Sequence, residues 1–220
     1  MLTINETDSP DDGQNYDLVL ASGSPRRSDI LSQIGVRYIV VVPEIDESPR
    51  VGESGLEYVS RLAFEKANKV CQLEISDRPA LGADTILVCD GQLFGKPSDF
   101  DAFREMITSL SGRKHSVLSA VAMSNRSNSG VLVSETSVTF RAISDQEILS
   151  YWQTGEPKDK AGGYAIQGYG SIFVKEILGS YSGVVGLPIV ETCSLLNRFD
   201  VPIWQDLQSP PTLNGYRYEL

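Results

Sequence analysis

Short apolar segments with strand character alternate with segments of helical periodicity along most of this chain. Residues 17–22 predict a strand, which passes through Gly23 and Ser24 into a helix that begins at Pro25. Residues 56–73 carry apolar side chains at the spacing of a long amphipathic helix, and residues 80–89 predict a buried strand. Interleaved strands and helices predict an α/β fold in which helices flank a β-sheet.

The middle of the sequence adds antiparallel pairing to this pattern. Residues 115–123 and 131–143 are β-rich and flank the polar turn NRSNSG, so they predict a long hairpin, and Asp90-Gly91 predicts a tight hairpin turn. Further strands are predicted at 37–42 and 172–177. The expected sheet is therefore mixed.

Capping signals predict where the remaining helices begin. Ser98 with Asp101, and Ser144 with Glu147, have the spacing of capping boxes, and Pro188 is expected to begin the last helix.

The chain is acidic, with 19 Lys and Arg against 29 Asp and Glu and a formal net charge of −10. This balance argues against a general nucleic-acid binder, which needs a basic surface, but is compatible with a compact site for one small anion. Much of the negative charge lies at the ends of the sequence. We therefore expect an acidic N-terminal extension at 1–16, a single domain at 17–199 and a C-terminal tail at 200–220, and we assign no chemistry to the two ends.

Several classes of protein are excluded or disfavoured by residue usage. No apolar run approaches the length of a membrane span and the N-terminus lacks a signal-peptide pattern, so we expect a cytoplasmic protein with no membrane partner. The cysteines Cys71, Cys89 and Cys193 are too few and too scattered for a disulfide framework, and buried free thiols are expected. The single histidine, His115, excludes sites built from several imidazoles.

The segment LASGSPRRSDIL places Arg26 and Arg27 in the first turn of a predicted helix. A helix N-terminus carries unpaired N–H groups and partial positive charge, so cations there are unfavourable unless an anion lies between them. Two interpretations remain open on these residues alone: a phosphate site and a solvated basic turn.

The segment LGADTILVC places Asp84 in the middle of an apolar strand. A carboxylate there is desolvated unless it meets a metal, a cation or a hydrogen-bond donor, so Asp84 is a functional candidate. Lys96, beyond the hairpin turn, is able to return a positive charge to the same sheet end, although Gly-Lys-Pro is commonly just a turn.

Other candidates are weaker when taken singly. Asp46 and Glu47 supply oxygen ligands of the kind that Mg²⁺ takes, or form an ordinary acidic loop. Lys66 on the long helix points to a cleft or extends out of the core, with the second as the default. Gln167 has an amide suited to the edge of a base, or is a polar residue in a glycine-rich turn.

The order of these segments is more specific than any one of them. From residue 18 to 196 the chain resembles the Maf family of nucleoside triphosphate pyrophosphatases, in the motifs LASGSPRR, EIDES, FEKA, LGADTILV, FGKP, LSGRKHSV, DKAGGYAIQG and VVGLPIVET. The resemblance implies a fold like that of inosine triphosphate pyrophosphatases, with two lobes around a central cleft. It also implies a divalent cation, Mg²⁺ or Mn²⁺, and a possible homodimer.

Within the family, the branch acting on dTTP and UTP has arginine, threonine and glutamine where this chain has Arg26, Thr85 and Gln167. The resemblance therefore implies a pyrimidine nucleoside triphosphate as substrate, cleaved to the monophosphate and pyrophosphate, with modified pyrimidine nucleotides as further candidates. The alternatives are a 7-methyl-GTP pyrophosphatase and a non-catalytic nucleotide-binding regulator of cell division.

The resemblance also implies roles for individual residues. Asp84 would accept a proton from the attacking water and would share a metal ion with Glu47. The remaining residues would bind substrate: Ser22, Arg27, Lys66 and Lys96 at the phosphates, and Arg26, Thr85 and Gln167 at the base.

Overall fold

A computed structural model of the chain describes residues 16–73 and 76–205. The expected N-terminal extension lies outside the described residues except for residue 16, and the expected tail lies outside them from residue 206 onward. The described α-helices are α1 (Pro25–Gln33), α2 (Gly55–Gln72), α3 (Phe100–Leu110), α4 (Asp145–Gln153), α5 (Tyr181–Val185) and α6 (Ile189–Arg198), and 3₁₀ turns lie at Glu156–Asp159, Ala161–Gly163 and Tyr169–Phe173.

The described strands form one seven-stranded mixed sheet, which confirms the predicted α/β class. The strands are β1 (Leu18–Leu20), β2 (Tyr38–Val40), β3 (Ala80–Cys89), β4 (Gln92–Phe94), β5 (Lys114–Ser124), β6 (Ser129–Phe140) and β7 (Val174–Leu178). The order in the sheet is β2-β1-β3-β5-β6-β7, and β4 pairs with β3 at the side. β1 runs parallel to β2 and β3, and the remaining pairs are antiparallel.

Both hairpins that the sequence predicts are present in the sheet. β3 turns into β4 through Asp90 and Gly91, which have φ angles of 49° and 77°. Positive φ at both central residues is the geometry of a type I′ turn, which matches the twist of the flanking strands. β5 and β6 pair along their whole length, from Lys114 opposite Thr139 to Ser124 opposite Ser129.

The helix starts are confirmed at three places and corrected at one. Pro25 opens α1, Pro188 caps α6, and Ser144 with Glu147 forms a complete capping box. The cap of α3 is Asp99 rather than Ser98, because the Asp99 side chain accepts the bond from the Ala102 N–H.

α2 packs across β3 and β5, and a glycine permits its close approach. A Cβ atom on Gly82 would lie 2.3 Å from the carbonyl oxygen of Ala63 and 2.7 Å from the backbone nitrogen of Ala67. The same Cβ position lies 3.0 Å from Cβ of Lys66. The missing side chain at residue 82 therefore brings Lys66 down onto β3.

The domain extends past residue 199, where the sequence suggests a boundary. Val201 is buried in the same core cluster as Leu18 and Leu196. The N–H groups of Trp204 and Gln205 donate to the carbonyl oxygens of residues 34 and 35. Residues 200–205 are thus part of the packed domain.

The cysteines are free, with Cys89 buried and the other two half-buried.

Candidate active site

A cleft with a volume of about 510 Å³ opens beside the middle of β3. It is bounded by the turn from β1 to α1, the loop before α2, the turn after β4 and the segment 159–167. The structure brings all nine predicted site residues into its lining: Ser22, Arg26, Arg27, Glu47, Lys66, Asp84, Thr85, Lys96 and Gln167.

Lys66 is held between two carboxylates at the base of the cleft. Its Nζ lies 2.8 Å from Oδ1 of Asp84 and 2.8 Å from Oε1 of Glu47. Asp84 and Lys66 have side chains only 12% and 11% exposed, whereas the Glu47 side chain is 56% exposed. The buried Asp84 carboxylate is thus neutralised by Lys66, the kind of cation that its desolvation requires. Lys66 faces the cleft rather than solvent.

The charges around Glu47 act on its ionisation. Partial burial raises the pKa of Glu47, but the hydrogen bond and charge of Lys66, with the charges of Lys96 and Arg27, outweigh it and lower the pKa. Glu47 is therefore a carboxylate at neutral pH, as a cation ligand must be.

Arg27 is positioned by uncharged acceptors at the N-terminus of α1. Its Nη1 donates to Oγ of Ser22 at 2.9 Å and its Nε donates to the carbonyl oxygen of Gly186 at 2.9 Å. These two contacts leave its positive charge uncancelled. Burial lowers the pKa of Arg27, and the nearby Asp84 charge partly opposes that shift. A guanidinium fixed in this way at the N-terminus of a helix suits a phosphate.

Arg26, the other arginine of the pair, spans the cleft. Its Nη1 lies 3.0 Å from Oδ2 of Asp159, which also pairs with Lys160. Asp159 and Lys160 also line the cleft, and the sequence signal that points to them is the DKAGG motif in which they stand. Arg26 thus links α1 to the 3₁₀ turn Glu156–Asp159.

The hydroxyl of Thr85 has a fixed hydrogen-bond direction. Oγ of Ser119 donates to the carbonyl oxygen of Gly183 at 2.6 Å, and Oγ1 of Thr85 lies 2.9 Å from the same Ser119 oxygen. Because the carbonyl cannot donate and Ser119 has one hydroxyl proton, Thr85 must donate to Ser119. Thr85 consequently presents only lone pairs to the cleft.

The carboxylates of the cleft fit a divalent cation that takes its other ligands from water and substrate. Among residues 16–73 and 76–205, no cluster of three or more His, Cys, Asp or Glu side chains is placed to hold a metal ion. Mg²⁺ commonly binds through one or two carboxylates and completes its shell with water and substrate phosphates. Glu47 and Asp84 meet that requirement for a metal that arrives with a polyphosphate.

A family model described as Maf-like protein matches residues 17–199. The chain belongs to the Maf family.

Maf relatives match along most of this chain. A protein from Saccharophagus degradans is 48% identical to it, over 87% of this chain and 92% of the relative. A protein from Pseudoalteromonas atlantica is also 48% identical, over 84% of this chain and 97% of the relative. A protein from Vibrio parahaemolyticus is 45% identical, over 84% of this chain and 98% of the relative. Each of the three is named a dTTP/UTP pyrophosphatase.

Two solved structures also align with this Maf chain at low identity. A dITP/XTP pyrophosphatase from Mycobacterium abscessus is 18% identical with a TM-score of 0.41, and the alignment covers 83% of this chain and 95% of that one. The Ham1 protein of Staphylococcus aureus is 15% identical with a TM-score of 0.46, and the alignment covers 83% of this chain and 96% of that one.

Among the described residues of this chain, no helix has both the length and the apolar character of a membrane span.

Proposed function

We propose that the chain is a nucleoside triphosphate pyrophosphatase that hydrolyses dTTP and UTP to the monophosphate and pyrophosphate. The observation that carries this proposal is the buried Asp84 carboxylate, bonded to Lys66 in a cleft that also contains Arg27 and Lys96. The names of the Maf relatives support the same substrates.

In the proposed reaction, a water oxygen forms a bond to the α-phosphorus and the bond from that phosphorus to the bridging oxygen breaks. The bridging oxygen keeps the electron pair and leaves with pyrophosphate. Lys66 bonds to Oδ1 of Asp84, so Oδ2 is the oxygen that takes the water proton. General-base transfer of this kind contributes about 10²–10⁴-fold in rate.

The cations act on the charge that develops as the bridging oxygen leaves. Arg27 is fixed at the N-terminus of α1, Lys66 lies at the base of the cleft, and Lys96 is an exposed residue of its lining. Positioning and electrostatic stabilisation supply most of the catalysis in phosphoryl transfer. When bound, a divalent cation held by Glu47 and Asp84 would neutralise phosphate charge.

The lone pairs of Thr85 favour a base that offers an N–H group at the facing position. Uracil and thymine carry an N–H between two carbonyl groups, whereas cytosine has an acceptor nitrogen there. A site that is built to bind an N–H discriminates strongly against an analogue that lacks it. This polarity supports UTP and dTTP, with Arg26 and Gln167 as further contacts to the base.

A substrate panel tests the proposal directly. Purified protein is incubated with dTTP, UTP, CTP, ATP, GTP and 7-methyl-GTP, with Mg²⁺, with Mn²⁺ or with a chelator, and pyrophosphate and monophosphate are measured together. We expect equimolar products from dTTP and UTP with metal and none with the chelator. Turnover of 7-methyl-GTP without turnover of dTTP or UTP would overturn the substrate assignment. Nucleotide binding without turnover would favour a regulator.

We also propose that the protein acts in the cytoplasm, where nucleoside triphosphates are available, and that it forms a homodimer. Light scattering coupled to size-exclusion chromatography measures the mass of the particle directly. A mass twice that of the 24.1 kDa chain is expected, and a monomeric mass contradicts the dimer.

A further inference from the structure

Two side chains of α2 bind three consecutive carbonyl groups around Glu47. The Tyr58 hydroxyl donates to the carbonyl oxygen of Glu47 at 2.9 Å. Arg61 donates from Nη2 to the carbonyl oxygen of Ser48 at 3.1 Å and from Nη1 to that of Asp46 at 3.5 Å, the longest of the three. One face of α2 thus holds the backbone on both sides of Glu47.

Arg61 is itself fixed in place. Its Nε and Nη2 lie 2.6 and 2.8 Å from the two carboxylate oxygens of Glu53, a bidentate pair whose side chains are 10% and 8% exposed. The Arg61 guanidinium also lies 5.6 Å from the centre of the Tyr58 ring. The hydrogen bond to Arg61 lowers the pKa of Glu53 to about 2, so the pair is ionised throughout the neutral range. Bidentate pairing fixes both position and orientation.

These bonds matter because the segment around Glu47 forms no helix or strand. Residues 41–54 connect β2 to α2 with no ladder or helix partners for most of their carbonyl groups. The position of the Glu47 carboxylate therefore depends on side-chain contacts with the backbone. The same helix that carries Tyr58 and Arg61 also carries Lys66, which bonds the Glu47 carboxylate.

We propose that Tyr58 and Arg61 are positioning residues, which hold Glu47 against Lys66 and so set the affinity of the cleft for a divalent cation and its polyphosphate. This inference rests on the proposed function, because it assigns the two residues an effect on that reaction through Glu47. Neither residue needs to touch the reacting atoms. Both would act through the backbone of residues 46–48.

Two conservative variants test this role. Tyr58→Phe removes one hydroxyl but keeps the ring, and Arg61→Lys keeps the charge but loses the fork that spans Glu53 and the carbonyls. We expect each to raise the apparent KM for Mn²⁺ about fivefold, with a smaller change in kcat, because each removes hydrogen bonds of ordinary strength. We also expect faster deuterium exchange at the amides of residues 44–48, measured without metal or nucleotide.

A double-mutant cycle decides whether the effect passes through Glu47. In a Glu47→Gln background, Tyr58→Phe should cause little further loss of activity, because the carboxylate that it positions is already gone. If Tyr58→Phe lowers kcat/KM by the same factor in both backgrounds, the inference is overturned. Unchanged exchange at residues 44–48 in both single variants overturns it as well.

Arg126→Gln is the control. Arg126 pairs with Asp77, outside the Arg61 network, at 2.9 Å, with a side chain that is 66% exposed. We expect wild-type kinetics and exchange. If the wild-type protein has no pyrophosphatase activity, the proposed function itself is wrong. If the wild-type protein is active and Glu47→Gln lowers its activity, but Tyr58→Phe causes the same further loss in both backgrounds, only the inference about Tyr58 and Arg61 is overturned.

Discussion

The ammonium group of Lys66 lies 2.8 Å from Oδ1 of Asp84, across the contact between α2 and β3. Both side chains are nearly buried, so each provides the partner without which the other would be a desolvated charge. The pair exists because Gly82 lets the helix backbone approach the strand closely. A packing feature of the core thus determines the geometry of the candidate catalytic group.

Replacement of Asp84 by asparagine should abolish most of the activity. The amide has nearly the same shape but cannot accept the water proton, so we expect a fall in kcat of about 10²–10⁴-fold. Pyrophosphate release from UTP measures the effect, and circular dichroism checks the fold. Asp90→Asn, in the turn after the same strand, is the control and should leave the rate unchanged. Normal turnover by Asp84→Asn would remove this carboxylate from the mechanism.

The direction of the bond between Thr85 and Ser119 predicts substrate preference. Thr85→Val removes the acceptor, so the ratio of kcat/KM for UTP to that for CTP should fall about tenfold, as expected for the loss of one hydrogen bond to the base. Ser119→Ala frees the Thr85 hydroxyl to donate into the cleft, so the same ratio should fall while Thr85 remains. Thr85→Ser keeps the hydroxyl and should keep the ratio. Equal effects on UTP and CTP would contradict base selection by Thr85.

Much of the site could be predicted from the sequence because single residues conflict with their surroundings. Asp84 stands in an apolar strand, and Arg27 stands at a helix N-terminus, and both conflicts signal a missing partner. Periodicity does not predict the ion pair between Glu47 and Lys66. That contact depends on how an irregular loop folds back, which is decided by distant bonds such as the one from Tyr58.

Periodicity predicts the fold well where it extends over several turns or residues, as in α2 and β3. The sequence does not predict the five-residue helix α5, because it is too short to show a helical pattern and its start depends on the local bond from the Gly183 N–H to Oγ of Ser180. The sequence places the cap of α3 one residue early, because Ser98 and Asp99 both carry capping oxygens and only the backbone geometry distinguishes them.

Substitution of Gly82 by alanine should destabilise the protein. The added Cβ would lie within 3 Å of two backbone atoms of α2, and helix and strand would have to separate. We expect a loss of about 3 kcal/mol in the free energy of unfolding, measured by urea denaturation, because overpacking against backbone has few ways to relax. Gly95→Ala meets no atom within 4 Å and should change stability by less than about 0.5 kcal/mol. Equal stabilities of the two variants would contradict close packing at residue 82.

His115 should make the stability of the protein fall between pH 7 and pH 5. It is buried between Phe140 and Tyr164, and its Nε2 lies 3.0 Å from the Tyr164 hydroxyl. Burial lowers the pKa of His115 to about 4, while the unfolded chain protonates near pH 6.5, so below that pH the unfolded state binds more protons. The resulting loss is roughly 2 kcal/mol from pH 7 to pH 5.

Because His115 is the single histidine of the chain, one variant isolates this effect. His115→Phe keeps an aromatic ring in the cluster and removes the titration, so its free energy of unfolding should change less over the same range than that of the wild type. Urea denaturation at pH 7, 6 and 5 gives the comparison. Carboxylates with lowered pKa values, such as Glu147 at about 2, remain ionised in the folded state across this interval and affect both proteins alike. Parallel pH profiles would show that His115 is not held neutral by burial.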